Sequence, residues 1–165
     1  MLASRCSRRR RCSLDQPIPE SEVPGGYTIR YPSGEDEGEL EQQAAVIKRV
    51  FNVDLNADAI RVLRRVPTHC EDLVVVAPDG TFAAFCSIWF DEFNRIGTFE
   101  PVGTHPDHRR LGLAKAMMCE GLRRLKDLGA TVAFVGTGYD APANRLYESV
   151  GFTEFDVVDH WQKEF

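Results

Sequence analysis

The amino-acid sequence predicts one domain of the mixed α/β class. Its 165 residues, of which 43% are apolar and 27% charged, suffice to build a single hydrophobic core. Apolar residues recur at helical spacing in some segments, and short strand-like segments lie between them. Along the chain the predicted order is βααβββαβαβ, and the final segment holds one or two strands.

Bulk composition excludes several classes of protein. The formal net charge is −5, so we expect the folded domain to have no affinity for nucleic acid. No apolar run approaches the roughly 20 residues that a membrane span needs. The cysteines are odd in number and lack CxxC spacing, which predicts reduced thiols in a cytoplasmic protein rather than disulfides or a metal cluster. They are Cys6, Cys12, Cys70, Cys86 and Cys119.

Residues 1–25 differ in composition from the rest of the chain. Arginine and serine dominate, the run Arg8–Arg11 is continuous, and no acidic residue precedes Asp15. No apolar stretch of the kind found in secretory signals is present. We therefore predict a flexible leader over 1–25, followed by a domain over 26–165. A transit peptide and an arm that contacts nucleic acid are open alternatives for the leader.

A strand, two helices and a hairpin are predicted in the first half of the domain. Their ranges are 27–31, 37–51, 56–66, 73–76 and 82–90. Asn56 or Asp58 caps the second helix, which ends before Pro67. The sequence Pro78-Asp79-Gly80 predicts the turn of the hairpin.

The second half is predicted to hold a strand, a long helix, a second strand, a short helix and the closing segment. Their ranges are 96–104, 109–128, 131–137, 142–150 and 152–165. Pro142 at the first turn and Gly151 after the last residue are typical of the two ends of a helix. Pro101 and Gly103 both weaken strand pairing, so the strand over 96–104 should be bulged or partly unpaired.

The beginning of the long helix carries unusual residues. Gly112 lies in the predicted first turn, where an interior glycine costs roughly 1 kcal/mol relative to alanine. Arg109 and Arg110 lie at the positive end of the helix dipole, where cations are disfavoured. A bound phosphate group explains both features, because glycine permits close approach, free N–H groups point outward and arginines add charge.

Two patterns resemble the GNAT superfamily of acetyl-CoA-dependent N-acetyltransferases. Arg109-x-x-Gly112-x-Ala114 is similar to the family's pyrophosphate loop, Gln/Arg-x-x-Gly-x-Gly/Ala, and Asn144-x-x-Tyr147 is followed by Gly151-Phe152 as in the family. The resemblance covers residues 26–165. It implies a mixed, mostly antiparallel sheet of six to seven strands flanked by about four helices, with a splayed strand pair that holds the cofactor.

The resemblance also implies which residues bind acetyl-CoA. Backbone groups of one strand would hold the pantetheine arm, and Asn144 would contact the cofactor. The strand residues are Val102, Gly103 and Thr104, and those of the pyrophosphate loop are Arg109, Arg110, Leu111, Gly112, Leu113, Ala114 and Lys115. No metal is expected, since His105 and His108 lack further ligands at a suitable spacing.

Acetyl transfer to an amine requires two proton movements. An alkylammonium of pKa about 10.4 must lose a proton before its nitrogen can attack. Glu100 is the predicted base, with Asp91, Glu92 and Asp140 as alternatives. The resemblance implies that Tyr147 is the acid that serves the leaving thiolate. With ordinary pKa values that proton transfer is uphill by roughly 2 kcal/mol, so charge stabilisation by a hydrogen bond should matter more.

The sequence therefore predicts an N-acetyltransferase that moves the acetyl group of acetyl-CoA to a small-molecule or protein amine by direct attack. GxxxxGK and GxSxG are both absent, which excludes a P-loop kinase and a serine hydrolase of that type. A CoA-binding sensor or scaffold without turnover is the alternative. The identity of the acceptor and the existence of a homodimer are left open.

Overall fold

One sheet and four helices account for the regular structure of the chain. The computed structural model describes residues 2–34 and 36–162, with the backbone alone at residues 2–6, 69–70 and 160–162. The strands are β1 (Leu2–Ser13), β2 (Thr28–Arg30), β3 (His69–Val76), β4 (Phe82–Asp91), β5 (Ile96–Thr104), β6 (Val132–Gly138) and β7 (Glu154–Gln162). The helices are α1 (Glu37–Phe51), α2 (Ala57–Arg64), α3 (Leu113–Asp127) and α4 (Ala143–Ser149).

The seven strands have the order β2-β3-β4-β5-β6-β1-β7. Neighbouring strands run antiparallel except for β5 and β6, which are parallel. This arrangement confirms the predicted mixed, mostly antiparallel sheet. One closing strand, β7, is described, and residues 163–165 of the predicted closing segment lie outside the described chain. None of the helices within 2–34 and 36–162 has the length and apolar character needed to traverse a bilayer.

The sheet is covered on both faces, which explains the continuous apolar run in β3. Val74 packs in one hydrophobic cluster with residues of α1 and α2, among them Leu40. Leu73 and Val75 point the opposite way and pack in a second cluster with α3. Because side chains alternate along a strand, a strand buried on both faces needs apolar residues at every position.

Strand β1 corrects the prediction for the start of the chain. Residues 1–25 were expected to be a flexible leader, whereas Leu2–Ser13 lies inside the sheet between β6 and β7. The arginines at positions 8–11 pack over aromatic rings or form ion pairs, which gives each guanidinium a partner within the fold. Arg9 lies 4.8 Å from the centre of the Phe134 ring, and Arg11 pairs with Glu154.

Helix α3 begins later than predicted. Residues 106–108 form a short 3₁₀ turn, and regular α-helical structure starts at Leu113 instead of Arg109. Gly112 is therefore the residue that precedes the helix, and its φ of 79° lies in the left-handed region that glycine tolerates. The other predicted helix beginnings agree with the structure. Asn56, not Asp58, caps α2, because its side chain accepts from the Ala59 N–H at 3.0 Å.

Strand β5 is bulged and diverges from its neighbour, as predicted. Its register with β4 shifts between the pairs Cys86–Val102 and Ile88–Phe99, which places Glu100 and Pro101 in the bulge. Parallel pairing with β6 extends only as far as Phe99. Beyond Phe99 the two parallel strands separate and leave one side of residues 100–104 without a neighbouring strand.

Candidate active site

A cavity of about 440 Å³ lies where β5 and β6 separate, and we call it the splay cavity. It is bounded by the end of β5, the beginning of α3 and the inner face of α4. The predicted cofactor residues that border it are Val102, Gly103, Thr104, Arg109, Arg110, Gly112, Leu113, Ala114 and Lys115, and Tyr147 borders it too. Leu111 does not border the splay cavity, because its side chain points to solvent with 44% exposure.

The loop before α3 presents unbonded backbone N–H groups. Those of residues 110–115 make no hydrogen bond with the described part of the chain. Free N–H groups at the beginning of a helix attract anions, and three cationic side chains border the same space: Arg109, Arg110 and Lys115. Arg109 Nε also donates to the Thr104 carbonyl at 3.2 Å, which joins the loop to the end of β5. This arrangement fits a diphosphate.

Tyr147 is the buried phenol of the splay cavity. It is 5% exposed, and its ring meets that of Phe152 edge-on at 6.3 Å. Desolvation raises the pKa of Tyr147 to about 12, and the negative charges of Glu100 and of Cys86 when ionised contribute in the same direction. Tyr147 is therefore protonated at neutral pH and can donate a hydrogen bond into the cavity.

Glu100 borders a second cavity of about 230 Å³, which lies beneath α1 and α2 and which we call the helix-pair cavity. Partial desolvation raises the pKa of its carboxyl group. Trp89 Nε1 donates to the Glu100 carbonyl oxygen at 2.5 Å, so the bulge is fixed by a side chain of β4. The alternative base Asp91 instead accepts hydrogen bonds from Asn94 and borders neither cavity.

The other two alternatives also border neither cavity. Glu92 is exposed in the turn after β4, and Asp140 borders a separate surface cavity beside Arg8. Of the carboxylates considered from the sequence, Glu100 is the one that the structure brings to a cavity in contact with β5.

Asn144 is the predicted cofactor residue whose placement differs most from expectation. Its Oδ1 accepts from Arg10 Nε at 2.8 Å, and its Nδ2 donates to the carbonyls of Gly138, Tyr139 and Ala141 at 3.0–3.1 Å. These bonds occupy the side-chain amide, and Asn144 does not border the splay cavity. Asn144 instead fixes the loop that leads into α4.

Sequence reasoning missed several residues that border the splay cavity. They are Val50, His108, Pro142, Ala143 and Leu146. Leu146 could have been predicted, because it is adjacent to Tyr147 on α4. Nothing in the sequence connected Val50 of α1 to this site. His108 was considered only as a metal ligand, and its Nδ1 lies 2.9 Å from the Tyr27 hydroxyl. Within the described residues, no group of three or more ligating side chains could hold a metal ion.

Known proteins of similar sequence identify the family of the chain. The profile described as "Acetyltransferase (GNAT) family" matches residues 56–152, which is more than half of the chain. A mycothiol acetyltransferase from Thermomonospora curvata is 33% identical over 158 residues, which are 90% of this chain and 51% of that protein. The chain thus spans about half the length of this curated relative.

Solved structures agree in fold. A GCN5-related N-acetyltransferase from Sphaerobacter thermophilus superposes with a TM-score of 0.73 at 20% identity, over 95% of this chain and 50% of that one. A GNAT family N-acetyltransferase from Escherichia coli in complex with CoA gives a TM-score of 0.53 at 20% identity, over 67% and 62% of the respective chains. Given the profile match, the seven-stranded sheet and the splayed strands, this chain belongs to the GNAT acetyltransferase family.

Proposed function

We propose that the chain transfers the acetyl group of acetyl-CoA to a primary amine by direct attack. The observation that carries the proposal is that consecutive residues of β5 border two cavities. Glu100 and Pro101 border the helix-pair cavity, and Val102 begins the border of the splay cavity. An amine in the first cavity and a thioester in the second would therefore meet at the bulge.

The splay cavity suits the cofactor. In this proposal the free N–H groups of residues 110–115, with Arg109, Arg110 and Lys115, hold the pyrophosphate, and the unpaired side of β5 from Val102 to Thr104 bonds the pantetheine arm. Acetyl-CoA supplies the activated acetyl group, whose C–S bond breaks as the new C–N bond forms. Leu111 contributes its backbone N–H group to the pyrophosphate loop. Asn144 contributes by fixing the loop that leads into α4.

Glu100 is the proposed base. It accepts a proton from the ammonium, directly or through a water molecule, so that the nitrogen lone pair can attack. Because desolvation raises its pKa, Glu100 is a stronger base than an ordinary carboxylate. It functions only when ionised, so its contribution is present above this raised pKa and is lost as the pH falls through it.

Tyr147 is the proposed hydrogen-bond donor to the leaving thiolate. With a pKa of about 12 against about 8.5 for a thiol, complete proton transfer would be uphill by roughly 5 kcal/mol. The Glu100 charge is one cause of that high pKa, and it disappears once Glu100 has taken the proton of the amine. Tyr147 therefore becomes a better donor when the thiolate begins to form, and its hydrogen bond stabilises the developing charge.

Calorimetry with acetyl-CoA tests this proposal first, with desulfo-CoA as the comparison. We expect micromolar binding of acetyl-CoA, followed by thiol release when a panel of amines is added. Absence of binding would overturn the cofactor assignment. Binding without thiol release for any amine would favour the sensor or scaffold without turnover. A mycothiol-type amine belongs in the panel because of the relative's name, and size-exclusion chromatography of the same sample would reveal a homodimer.

Substitution of Gly112 tests the phosphate loop. A Cβ at Gly112 would meet no atom within 4 Å in the protein, so Gly112→Leu would place its side chain in space that the cofactor needs. We expect the affinity for acetyl-CoA to fall at least about tenfold, measured by calorimetry. Gly129→Leu is the matched control, since Gly129 also has a positive φ and open surroundings but lies beyond the other end of α3. Both variants should lose about 1 kcal/mol of stability from the left-handed backbone, and equal affinities would contradict the loop assignment.

Substitution of Glu100 tests the base. We expect Glu100→Gln to lower kcat/KM by about 100-fold or more and to remove the acidic limb of the pH profile. In the unsubstituted protein that limb should lie above the ordinary carboxylate pKa, because desolvation raises the pKa of Glu100. Glu92→Gln, at an exposed position of the same hairpin, is the control. A Glu100→Gln variant with the full rate and the same pH profile would eliminate Glu100 as the base.

A further inference from the structure

The helix-pair cavity has apolar walls and a small volume. Its apolar border is formed by Ile47, Phe51, Val53, Leu55, Ile60, Leu63, Trp89 and Pro101. The volume of about 230 Å³ is below the roughly 300–1,000 Å³ of typical ligand pockets. The part of an acceptor that enters must therefore be a short chain, a branched chain or one ring, and its body must be apolar.

Part of the border of this cavity is polar, and we call it the polar floor: Gln43, Arg64, Asp72 and Ser87. Arg64 Nε donates to Asp72 Oδ2 at 2.7 Å, and Arg64 Nη2 donates to Gln43 Oε1 at 2.8 Å. Ser87 Oγ donates to Asp72 Oδ1 at 2.5 Å. Gln43, Asp72 and Ser87 are 2%, 6% and 7% exposed, so polar atoms that remain unbonded there need a partner from a ligand or from water.

The chemistry of Arg64 and Asp72 fixes the direction of each bond. A guanidinium can only donate, so Gln43 must turn its oxygen toward Arg64 and leave its NH₂ group free to donate. That Nε2 makes no hydrogen bond with the described residues. An ionised carboxylate can only accept, so the Ser87 hydroxyl donates its hydrogen to Asp72. The lone pairs of Ser87 Oγ remain available as acceptors. Arg64 Nη1 is a further unbonded donor among the described residues, but protein atoms cover it fully. The floor thus offers a ligand one accessible donor, Gln43 Nε2, and one acceptor, Ser87 Oγ.

The floor is also electrically balanced. Arg64 and Asp72 neutralise each other, and Glu100 is the remaining carboxylate among the described residues that border the cavity. A second ammonium of a polyamine would lie beside Arg64, and a carboxylate would lie beside Asp72. Either ion would be desolvated without a partner of its own, which is costly. The group that fits the floor is neutral.

We propose that the preferred acceptor is a small primary amine with an apolar body and a neutral hydroxyl group. The hydroxyl oxygen accepts from Gln43 Nε2, and the hydroxyl proton is donated to Ser87 Oγ. The amine nitrogen lies beside Glu100, which borders the same cavity as the polar floor. This inference rests on the proposed function, because it assigns the amine to the cavity that Glu100 borders.

A series of amines that differ only at the far end tests the inference. The members are hexylamine, 5-amino-1-pentanol, cadaverine and 5-aminopentanoate, which end in methyl, hydroxyl, ammonium and carboxylate groups. Shorter homologues of each find the best length. We expect the amino alcohol of the best length to have a kcat/KM at least about tenfold higher than its methyl, ammonium and carboxylate counterparts. Equal values, or a preference for either charged end, would overturn the inference.

Variants of Gln43 and Ser87 test whether the polar floor causes the preference for a hydroxyl group. In Gln43→Leu and Ser87→Ala the preference for hydroxyl over methyl should fall to about one. Gln42→Leu is the matched control, because Gln42 is the exposed neighbour on α1 and should leave the preference intact. Retention of the preference in both floor variants would refute the role of the floor.

The dissociation constants of the same amines, measured by calorimetry on the CoA-loaded protein, separate the two proposals. A hydroxyl preference in binding without any turnover would reject the proposed reaction and retain the assigned specificity. Turnover of all four amines with equal dissociation constants would support the proposed reaction and reject the assigned specificity.

Discussion

Replacement of Tyr147 by phenylalanine is expected to lower kcat about 100-fold without weakening acetyl-CoA binding. Phenylalanine retains the ring that packs edge-on against Phe152 and removes only the hydroxyl group. Positioned proton donors typically contribute 10² or more to the rate. Steady-state thiol release gives kcat, and calorimetry gives the affinity.

The pH dependence provides a second check on Tyr147. Because its pKa is raised to about 12, the phenol remains protonated throughout the working range, and it should cause no alkaline loss of rate below about pH 10. Tyr31→Phe is the matched control, since Tyr31 is 45% exposed and borders neither cavity. A Tyr147→Phe variant with unchanged turnover would show that another group serves the thiolate.

Replacement of Arg10 by leucine is expected to destabilise the protein by about 3 kcal/mol. Arg10 is fully buried, and its guanidinium donates to Asn144 Oδ1, to the Phe152 carbonyl at 2.9 Å and to Glu148 Oε1 at 2.7 Å. Without Arg10 the first two acceptors are left buried with one hydrogen bond fewer, at about 1–3 kcal/mol each. Glu148 is half exposed and can be hydrated instead. Urea denaturation measures the change.

The adjacent arginine is the control for Arg10. Arg9 is exposed on the opposite face of β1, and its guanidinium lies over the Phe134 ring, so Arg9→Leu should cost less than about 1 kcal/mol. Arg10 also holds Asn144, which fixes the loop before the helix that carries Tyr147. We therefore expect kcat to fall more than the affinity for acetyl-CoA in Arg10→Leu. Equal stabilities of the two leucine variants would contradict this role of Arg10.

The elements that were predicted correctly are those whose signals, such as apolar spacing, a helix cap or a turn sequence, lie within a short stretch of the chain. Helix α1 has the predicted bounds because its apolar spacing and its acidic N-terminal cap, Asp36, are both local. The hairpin of β3 and β4 follows from a turn signal between apolar segments. The beginning of α3 was misplaced because a backbone turn at Gly112, with φ 79°, precedes the helix, and periodicity cannot distinguish a loop from a first turn.

Strand β1 could not be predicted from its own residues. A run of arginines is typical of a solvated segment, and it becomes a strand only because Phe134, Glu154 and Phe155 lie opposite it in the fold. The pyrophosphate loop was found because it is one continuous motif. The polar floor was missed because Gln43, Arg64, Asp72 and Ser87 come from four different elements, each unremarkable alone.

The position of β1 in the sheet has a consequence for the newly made chain. Both partners of β1 come more than 100 residues later in the sequence, so the ribosome makes this strand well before its neighbours. At 5–20 residues per second, β1 remains unpaired for on the order of ten seconds before β6 has been made. Unpaired apolar strands readily associate with other chains, and charged side chains prevent such association. The arginines that pack over rings or form ion pairs in the finished sheet would thus keep β1 soluble while its partners are being synthesised.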